Sequence, residues 1–199
     1  NGEVEVHSTK NEIRRSKYDS DVKTQGFSIG AGKEILRDTY LGAKYSLDFV
    51  KENYEYPSNT TVPEDKQFKP QDYINSSITP YINFDNTDDF YFPREGFRAN
   101  LSAEYAGVGG DSKYIKPAAS IRYFYSLEDL TDLIIRLKSQ ARILIDNGQI
   151  NQGDSLYLGG PRTLRGYKSY AFPTNESGEK ADPYTKMWAN SAELSFPLV

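Results

Sequence analysis

Apolar and polar residues alternate with a period of two along most of the chain, a pattern that predicts β-strands. The clearest example is 41–49, where Leu41, Tyr45 and Phe49 alternate with Lys44 and Asp48. Its length approaches the roughly nine to eleven residues with which a tilted strand crosses a membrane. The alternation recurs and predicts eight strands in all, at 4–13, 26–34, 41–49, 73–84, 97–105, 115–127, 133–146 and 187–196.

The stretch 133–146 also has the length of a short helix. Its leucines and isoleucines nevertheless occupy alternate positions, and the charged residues Arg136, Lys138 and Arg142 fall between them. Strict alternation separates the two sets onto opposite faces of a strand but not of a helix. We therefore predict a strand, with its basic row turned away from lipid, because a charge near the middle of a membrane costs about 2–4 kcal/mol.

The predicted connections differ in length from one rim to the other. Long polar connections on one rim and short turns on the other are typical of transmembrane up-and-down barrels. The glycine-rich loop at 106–113 is short, but its place in the order assigns it to the rim of the long connections. The predicted fold class is therefore all-β, an antiparallel up-and-down transmembrane β-barrel. The long connections are 14–24, 51–72 and 147–185, and the short ones are 35–39, 85–96 and 128–132.

The composition permits both a membrane barrel and a soluble β-sheet protein. The 199 residues are 37% hydrophobic and 14% aromatic, with a formal net charge of −4. Sixteen tyrosines and ten phenylalanines favour a folded chain over a disordered one. Barrel strands turn half of their residues to a polar interior, so their mean hydropathy resembles that of soluble proteins. A soluble all-β binding module therefore stays open as an alternative.

Candidate catalytic chemistry is sparse. The chain has no cysteine, which excludes disulfides, thiolate metal sites and cysteine nucleophiles. Its single histidine, His7, lies on a polar strand face, which favours a lumen- or solvent-facing position over a catalytic triad or a metal site. Asp88 and Asp89 fit a solvated turn, and the glycine-rich loop lacks the Lys-Ser or Lys-Thr of a phosphate-binding loop. We predict no enzyme activity, no cofactor, no metal and no nucleic acid partner.

The stretch 156–167 carries the most specific signal in the chain. Gly159, Gly160 and Pro161 exclude a regular helix or strand interior, while the surrounding arginines, tyrosines and leucines predict a loop that folds back and buries side chains. Behind the two glycines stands a four-residue sequence, Leu164-Arg165-Gly166-Tyr167. It resembles the arginine motif of the POTRA-containing outer-membrane assembly and secretion barrels.

Three further features narrow this resemblance to the BamA-type assembly barrels: a Pro-x-x-Gly turn within 83–96, the glycine loop at 107–111, and Glu193 between Ala192 and Leu194. The resemblance implies that 1–199 is part of a C-terminal barrel domain, about eight strands of a barrel of about sixteen. It also implies that 147–185 is an extracellular loop that plugs the lumen. The POTRA domains and the first and last barrel strands are then expected to lie outside this sequence.

The resemblance also assigns roles to the motif. Arg165 is expected to enter the lumen, where burying an unpaired guanidinium would cost free energy. The carboxylate of Glu193 is expected to accept two hydrogen bonds from this guanidinium in a bidentate ion pair. Gly166 is expected to permit a backbone conformation or a close approach that a Cβ would block. Tyr167 is expected to pack against the lumen wall. A solvent-exposed Arg165 is the alternative.

The basic row of 133–146 has two interpretations. It could bind an anionic ligand or lipopolysaccharide headgroups, but we favour pairing inside the lumen with acidic residues of neighbouring strands, such as Glu104.

The function that the resemblance implies is non-enzymatic. It is a barrel in the outer membrane of a Gram-negative bacterium that folds and inserts other β-barrel proteins. The implied partners are unfolded outer-membrane β-barrel client proteins, accessory lipoproteins of an assembly complex, and outer-membrane lipid with lipopolysaccharide. A polypeptide transporter of the two-partner secretion type shares the arginine motif and is a second hypothesis, beside the soluble binding module.

Overall fold

The structure, a computed structural model, describes residues 2–127 and 133–196 as one antiparallel sheet of nine strands. The strands are β1 Gly2–Arg14, β2 Asp19–Leu36, β3 Thr39–Glu55, β4 Gln71–Asp85, β5 Gly96–Ala106, β6 Lys113–Ser126, β7 Ile134–Ile143, β8 Ile145–Gln149 and β9 Lys186–Ser195. They follow one another across the sheet in chain order, except that β9 pairs with β7 and β8 pairs with β6. The predicted antiparallel up-and-down topology is confirmed.

The two faces of the sheet separate apolar from polar side chains, as the alternation predicts. Cross-strand neighbours on one face are apolar, for example Ile82 opposite Leu101 and Tyr123 opposite Leu137. Many of these side chains are exposed, Leu101 to 55%. Exposed apolar residues on every strand are expected of a face that meets lipid. The other face is polar and carries the long loop, which begins at 150 and not at the predicted 147 because β8 continues to Gln149.

Two predicted connections are much shorter than the sequence pattern indicates. The prediction of a loop at 14–24 is wrong, because β2 already begins at Asp19 and its residues 19–31 pair with the whole of β1. Likewise β3 continues to Glu55, so that the predicted connection at 51–72 is reduced to 56–70. Polar ends of strands are held by the ladder and by ion pairs such as Lys10 with Asp21 at 3.5 Å. Such ends have no apolar face for an alternation pattern to detect.

The prediction of one strand at 133–146 is wrong, because the chain leaves the ladder at Leu144. β7 pairs with β6 and β9, while β8 pairs with β6 alone. Leu144 is only 3% exposed, and its backbone N–H donates to the carbonyl of Thr185 at 2.7 Å. The break thus turns a leucine into the core and adds a ninth strand. The turn predicted at 128–132 lies outside the described residues.

The apolar core lies beneath the long loop rather than between two sheets. Its members come from β5, β6, β9, the break at 144 and the start of the loop: Ala106, Tyr114, Leu144, Leu156 and Met187. Within 2–127 and 133–196, no helix is both long and apolar enough to span a membrane, and no group of three acidic or imidazole side chains is arranged to hold a metal ion.

Candidate functional site

The root of the long loop, residues 150–158, is held by a buried carboxylate of the sheet. Glu52 lies near the end of β3 and is fully buried. Its Oε1 accepts hydrogen bonds from the Tyr73 hydroxyl at 2.8 Å and from the backbone N–H of Gly153 at 2.7 Å. Its Oε2 accepts a third from the Tyr54 hydroxyl at 2.8 Å. The side chain therefore joins two strands to the loop backbone.

A second buried contact joins the root to the glycine loop 107–112. The Oδ2 atom of Asp154 accepts hydrogen bonds from the backbone N–H of Asn151 at 3.1 Å and from the Ser112 hydroxyl at 3.2 Å. The Asn151 amide also donates to the Ser112 hydroxyl, at 2.9 Å. Burial, and to a lesser degree the charge of Glu104, raises the pKa of Asp154 to about 6, although the charge of Lys116 and both hydrogen bonds lower it.

The glycine loop is itself fixed to the sheet, so it provides a firm support for the root. The backbone N–H of Gly107 donates to the carbonyl of Ser76 at 3.1 Å. Asp111 donates its backbone N–H to the carbonyl of Ile74 at 2.7 Å, and its carboxylate accepts from the Ile74 N–H at 2.8 Å. These bonds continue the pairing of β4 beyond the end of β5.

The tip of the long loop, residues 159–172, is closed by its own backbone. Gly160 donates its N–H to the Tyr167 carbonyl at 3.1 Å and accepts from the Leu164 N–H at 3.0 Å. The Gly159 N–H donates to the Thr163 hydroxyl at 2.9 Å. The two motif glycines thus lie at the closure of the turn that presents the arginine.

Arg165 and Glu193 are brought together at the tip. The Nη1 atom of Arg165 lies 3.2 Å from Oε1 of Glu193, and the two side chains are 71% and 34% exposed. Within the part of the chain that the structure describes, Arg165 is thus largely exposed, and its contact with Glu193 joins one nitrogen to one oxygen. Burial of the arginine in the lumen and a bidentate pair stay predictions. A cavity of about 690 Å³ lies between the tip and the sheet.

The two residues that follow the arginine have different reasons for their identity. Gly166 has φ +85°, and a Cβ added to it would meet no atom within 4 Å, so it is needed for conformation rather than for close approach. Tyr167 is 53% exposed and packs edge-to-face on Phe172, with the ring centres 5.0 Å apart. The ring that Tyr167 contacts thus lies within the loop, and packing of Tyr167 against the lumen wall stays a prediction.

The basic row of β7 contacts the loop backbone instead of the predicted carboxylate. The Lys138 ammonium donates to the Arg162 carbonyl at 2.6 Å, and Gln140 donates to the same oxygen at 3.0 Å. The prediction that Glu104 pairs with this row is wrong. Glu104 accepts from the Tyr114 hydroxyl at 2.8 Å and lies 3.8 Å from the Lys116 ammonium.

The cavity under the tip is strongly basic. It is bordered by the polar faces of β5, β6, β7 and β9 and by the tip itself. The carboxylate of Glu193 is therefore surrounded by cations, and Arg165 is the one with which it forms an ion pair among the described residues. The cationic side chains that line the cavity are Arg98, Arg122, Arg136, Lys138, Arg162 and Arg165.

His7, the single histidine, lies on the polar face, as the sequence predicts. Its Nε2 is 2.8 Å from Oδ1 of Asp48, two strands away. It makes no hydrogen bond to the long loop among the contacts of the described residues.

The sequence indicates the tip as a functional element but gives no indication of the contacts at the root. Glu52 falls in a stretch interpreted as a loop, and Gly153 and Asp154 lie in a connection with no periodic pattern. Glu52 could have been recognised as a residue of the polar face only if β3 were known to extend to Glu55, because Glu52 then lies on the same face as Asp48.

Comparison with known proteins identifies the family. The Omp85 superfamily domain matches residues 2–199. The chain belongs to the Omp85 superfamily. The sheet is therefore part of an outer-membrane β-barrel of this superfamily, and both the family and the fold class predicted from the sequence are confirmed.

Two relatives show how much of an Omp85 protein the chain represents. It is 26% identical over 164 residues to the outer membrane protein assembly factor BamA of Nitratidesulfovibrio vulgaris, covering 79% of this chain and 20% of the relative. The crystal structure of BamA from Haemophilus ducreyi lacking POTRA domains 1–3 matches with a TM-score of 0.77 and 16% identity, covering 99% of this chain and 41% of that one. The chain thus spans about a fifth of the curated relative.

Proposed function

We propose that this Omp85 chain is part of an outer-membrane assembly factor that folds and inserts other β-barrel proteins. The observation that carries the proposal is the arginine motif at the tip of the long loop, with Arg165 3.2 Å from Glu193 on the adjacent strand. The similarity to the outer membrane protein assembly factor BamA of N. vulgaris supports it. The proposed partners are unfolded outer-membrane β-barrel clients, accessory lipoproteins, and outer-membrane lipid with lipopolysaccharide.

In this proposal the loop 150–185 fills part of the lumen, and Leu164, Arg165, Gly166 and Tyr167 form its functional tip. Ion pairs between exposed side chains contribute about 0–1 kcal/mol to stability. The pair of Arg165 with Glu193 is therefore too weak to maintain the barrel. Its proposed role is to set where the tip lies while the barrel works, without any covalent chemistry.

The test uses the full-length protein and measures the assembly of a client barrel into membranes. Arg165→Ala and Glu193→Ala are each expected to lower the amount of folded client severalfold. The double variant is expected to be no worse than either single variant, because both remove the same contact. Arg162→Ala is the matched control, since it removes a neighbouring arginine side chain and keeps the carbonyl that Lys138 and Gln140 bind.

Two results would count against the proposal. If both single variants assemble clients like the wild type, the pair has no role in assembly. If the full-length protein instead releases polypeptide across the membrane without inserting it, the second hypothesis, a two-partner secretion transporter, is favoured.

A further inference from the structure

We infer that Glu52 is the positioning residue of the long loop, and that it acts by binding the backbone of Gly153. The inference rests on the function proposed above, because the tip that this root supports is the proposed functional element. Glu52 lies outside the arginine motif and has no contact with Arg165 or Glu193.

The chemistry around Glu52 is that of a built binding site. Three donors converge on its two oxygens: the hydroxyls of Tyr54 and Tyr73, and the N–H of Gly153. A carboxylate group offers acceptor positions for all three, whereas an apolar side chain would leave them unpaired in a buried place. The two tyrosines belong to strands of the sheet, so the third hydrogen bond is the one by which Glu52 holds the loop.

The loop backbone lies very close to Glu52 at Gly153. A Cβ on Gly153 would lie 2.1 Å from Oε1 of Glu52 and 2.6 Å from the Tyr73 hydroxyl oxygen. Both distances are far below van der Waals contact, so any side chain at this position would force Glu52, Tyr73 or the loop to move. The absence of a side chain at Gly153 therefore allows its N–H to reach the carboxylate of Glu52.

A continuous series of backbone hydrogen bonds leads from this contact toward the tip. After Gly153, the N–H of Leu156 donates to the carbonyl of Tyr184 at 2.8 Å. Leu158 and Phe172 exchange two hydrogen bonds, of 2.8 and 2.9 Å. The bond from Gly160 to Tyr167, described above, then closes the tip. Displacement of Gly153 therefore changes the base on which the tip stands.

The experiment compares three variants of the full-length protein in detergent solution and in an assembly assay. Trypsin cleavage at the tip, after Arg162, Arg165 or Lys168, reports whether the loop is held. Glu52→Ala is expected to raise the cleavage rate at least about tenfold and to lower client assembly. Glu55→Ala is the matched control, an exposed glutamate on the same strand, and is expected to change neither.

Glu52→Gln separates hydrogen bonding from a general structural defect. Its amide oxygen can accept from Gly153 and Tyr73, and its NH₂ group can donate to the Tyr54 hydroxyl, which is able to accept. We therefore expect Glu52→Gln to restore most of the protection and assembly that Glu52→Ala loses. If the barrel of Glu52→Ala fails to fold, Tyr73→Phe serves instead, and a severalfold rise in cleavage is expected.

The outcomes distinguish the inference from the proposed function. Wild-type cleavage in Glu52→Ala, or in Tyr73→Phe where that variant replaces it, would overturn the inference. So would a folded Glu52→Gln as defective as Glu52→Ala. If Glu52→Ala releases the loop while client assembly is unchanged both there and in Arg165→Ala, the positioning role stands and the proposed function fails.

Discussion

The root and the tip of the long loop are held in opposite ways. At the root, Glu52 is fully buried and Asp154 is 6% exposed, and each accepts several hydrogen bonds. At the tip, Arg165 is 71% exposed and forms an ion pair with Glu193. The tip backbone is also held, because the Arg162 carbonyl accepts from Lys138 and Gln140, but these hydrogen bonds are exposed. One loop thus combines a root held by buried contacts with a tip held by exposed ones.

The difference follows from where each contact lies. A buried polar group that loses its partner costs about 1–3 kcal/mol, because water cannot replace the lost bond. An exposed ion pair is worth about 0–1 kcal/mol, because water solvates both groups after it breaks. The arginine motif therefore lies at the tip, where a contact can be exchanged at low cost in free energy. Glu52 and Asp154, which no sequence motif identifies, lie at the root, where the loss of a contact is costly.

The largest expected effect is that of Gly153→Ala at the root. The added methyl would overlap Oε1 of Glu52 at 2.1 Å, so either the loop or the carboxylate must move. Overpacking of this kind costs typically about 1–3 kcal/mol, and we expect a value in the upper half of that range in urea unfolding of the reconstituted full-length protein.

The control for Gly153→Ala is Gly30→Ala on β2. There the nearest atom to the added Cβ is 3.6 Å away, an ordinary contact. We expect it to change the free energy of unfolding little. Equal effects of the two substitutions would mean that the root is not tightly packed, and the contrast between root and tip would be lost.

The second effect concerns pH at the root. The pKa of Asp154 is raised to about 6 in the folded protein, mainly by burial, above the usual value of about 3.9. A raised pKa means that Asp154 contributes stability that is fully present below about pH 4 and is lost as the pH rises through about 6. Lowering the pH from 7.5 to 5 should therefore strengthen the root by about 1 kcal/mol.

Asp154→Asn tests this assignment. The asparagine oxygen can still accept from Ser112 and the Asn151 N–H but does not titrate. Tip cleavage by a protease active over the whole range should slow at pH 5 in the wild type, relative to a peptide substrate, and should be independent of pH in Asp154→Asn. The same pH dependence in both proteins would assign the titration to another group.

The sequence predicts those parts of the fold where each residue faces either lipid or the polar side. Along 41–49 the alternation is complete, and the predicted strand lies within β3. The pattern fails at Asp19 and at Glu52, where strands continue among polar residues, and at Leu144, where one leucine turns into a core that the loop creates. Local periodicity contains no information on which distant segment covers a given side chain.

The same limit applies to the site. The pairing of Arg165 with Glu193 can be predicted from the sequence, because a motif identifies the arginine and a strand face identifies the glutamate. The exposure of the two side chains cannot be predicted in this way. The burial of Glu52 depends on Gly153, which is 101 residues away. A polar residue on a polar strand face becomes an anchor only when the fold brings a loop onto it.

The smallest effect on stability is expected for Arg165→Ala at the tip. Because the guanidinium is 71% exposed, its loss should lower the free energy of unfolding by less than about 1 kcal/mol. A double-mutant cycle with Glu193→Ala, measured by urea unfolding, should give a coupling energy of about 0.2–1 kcal/mol that falls at high salt. A coupling energy as large as the effect of Gly153→Ala would show that the tip, too, is an anchor. A small coupling energy, together with a severalfold loss of client assembly, would assign the arginine to the working position of the loop and not to its attachment.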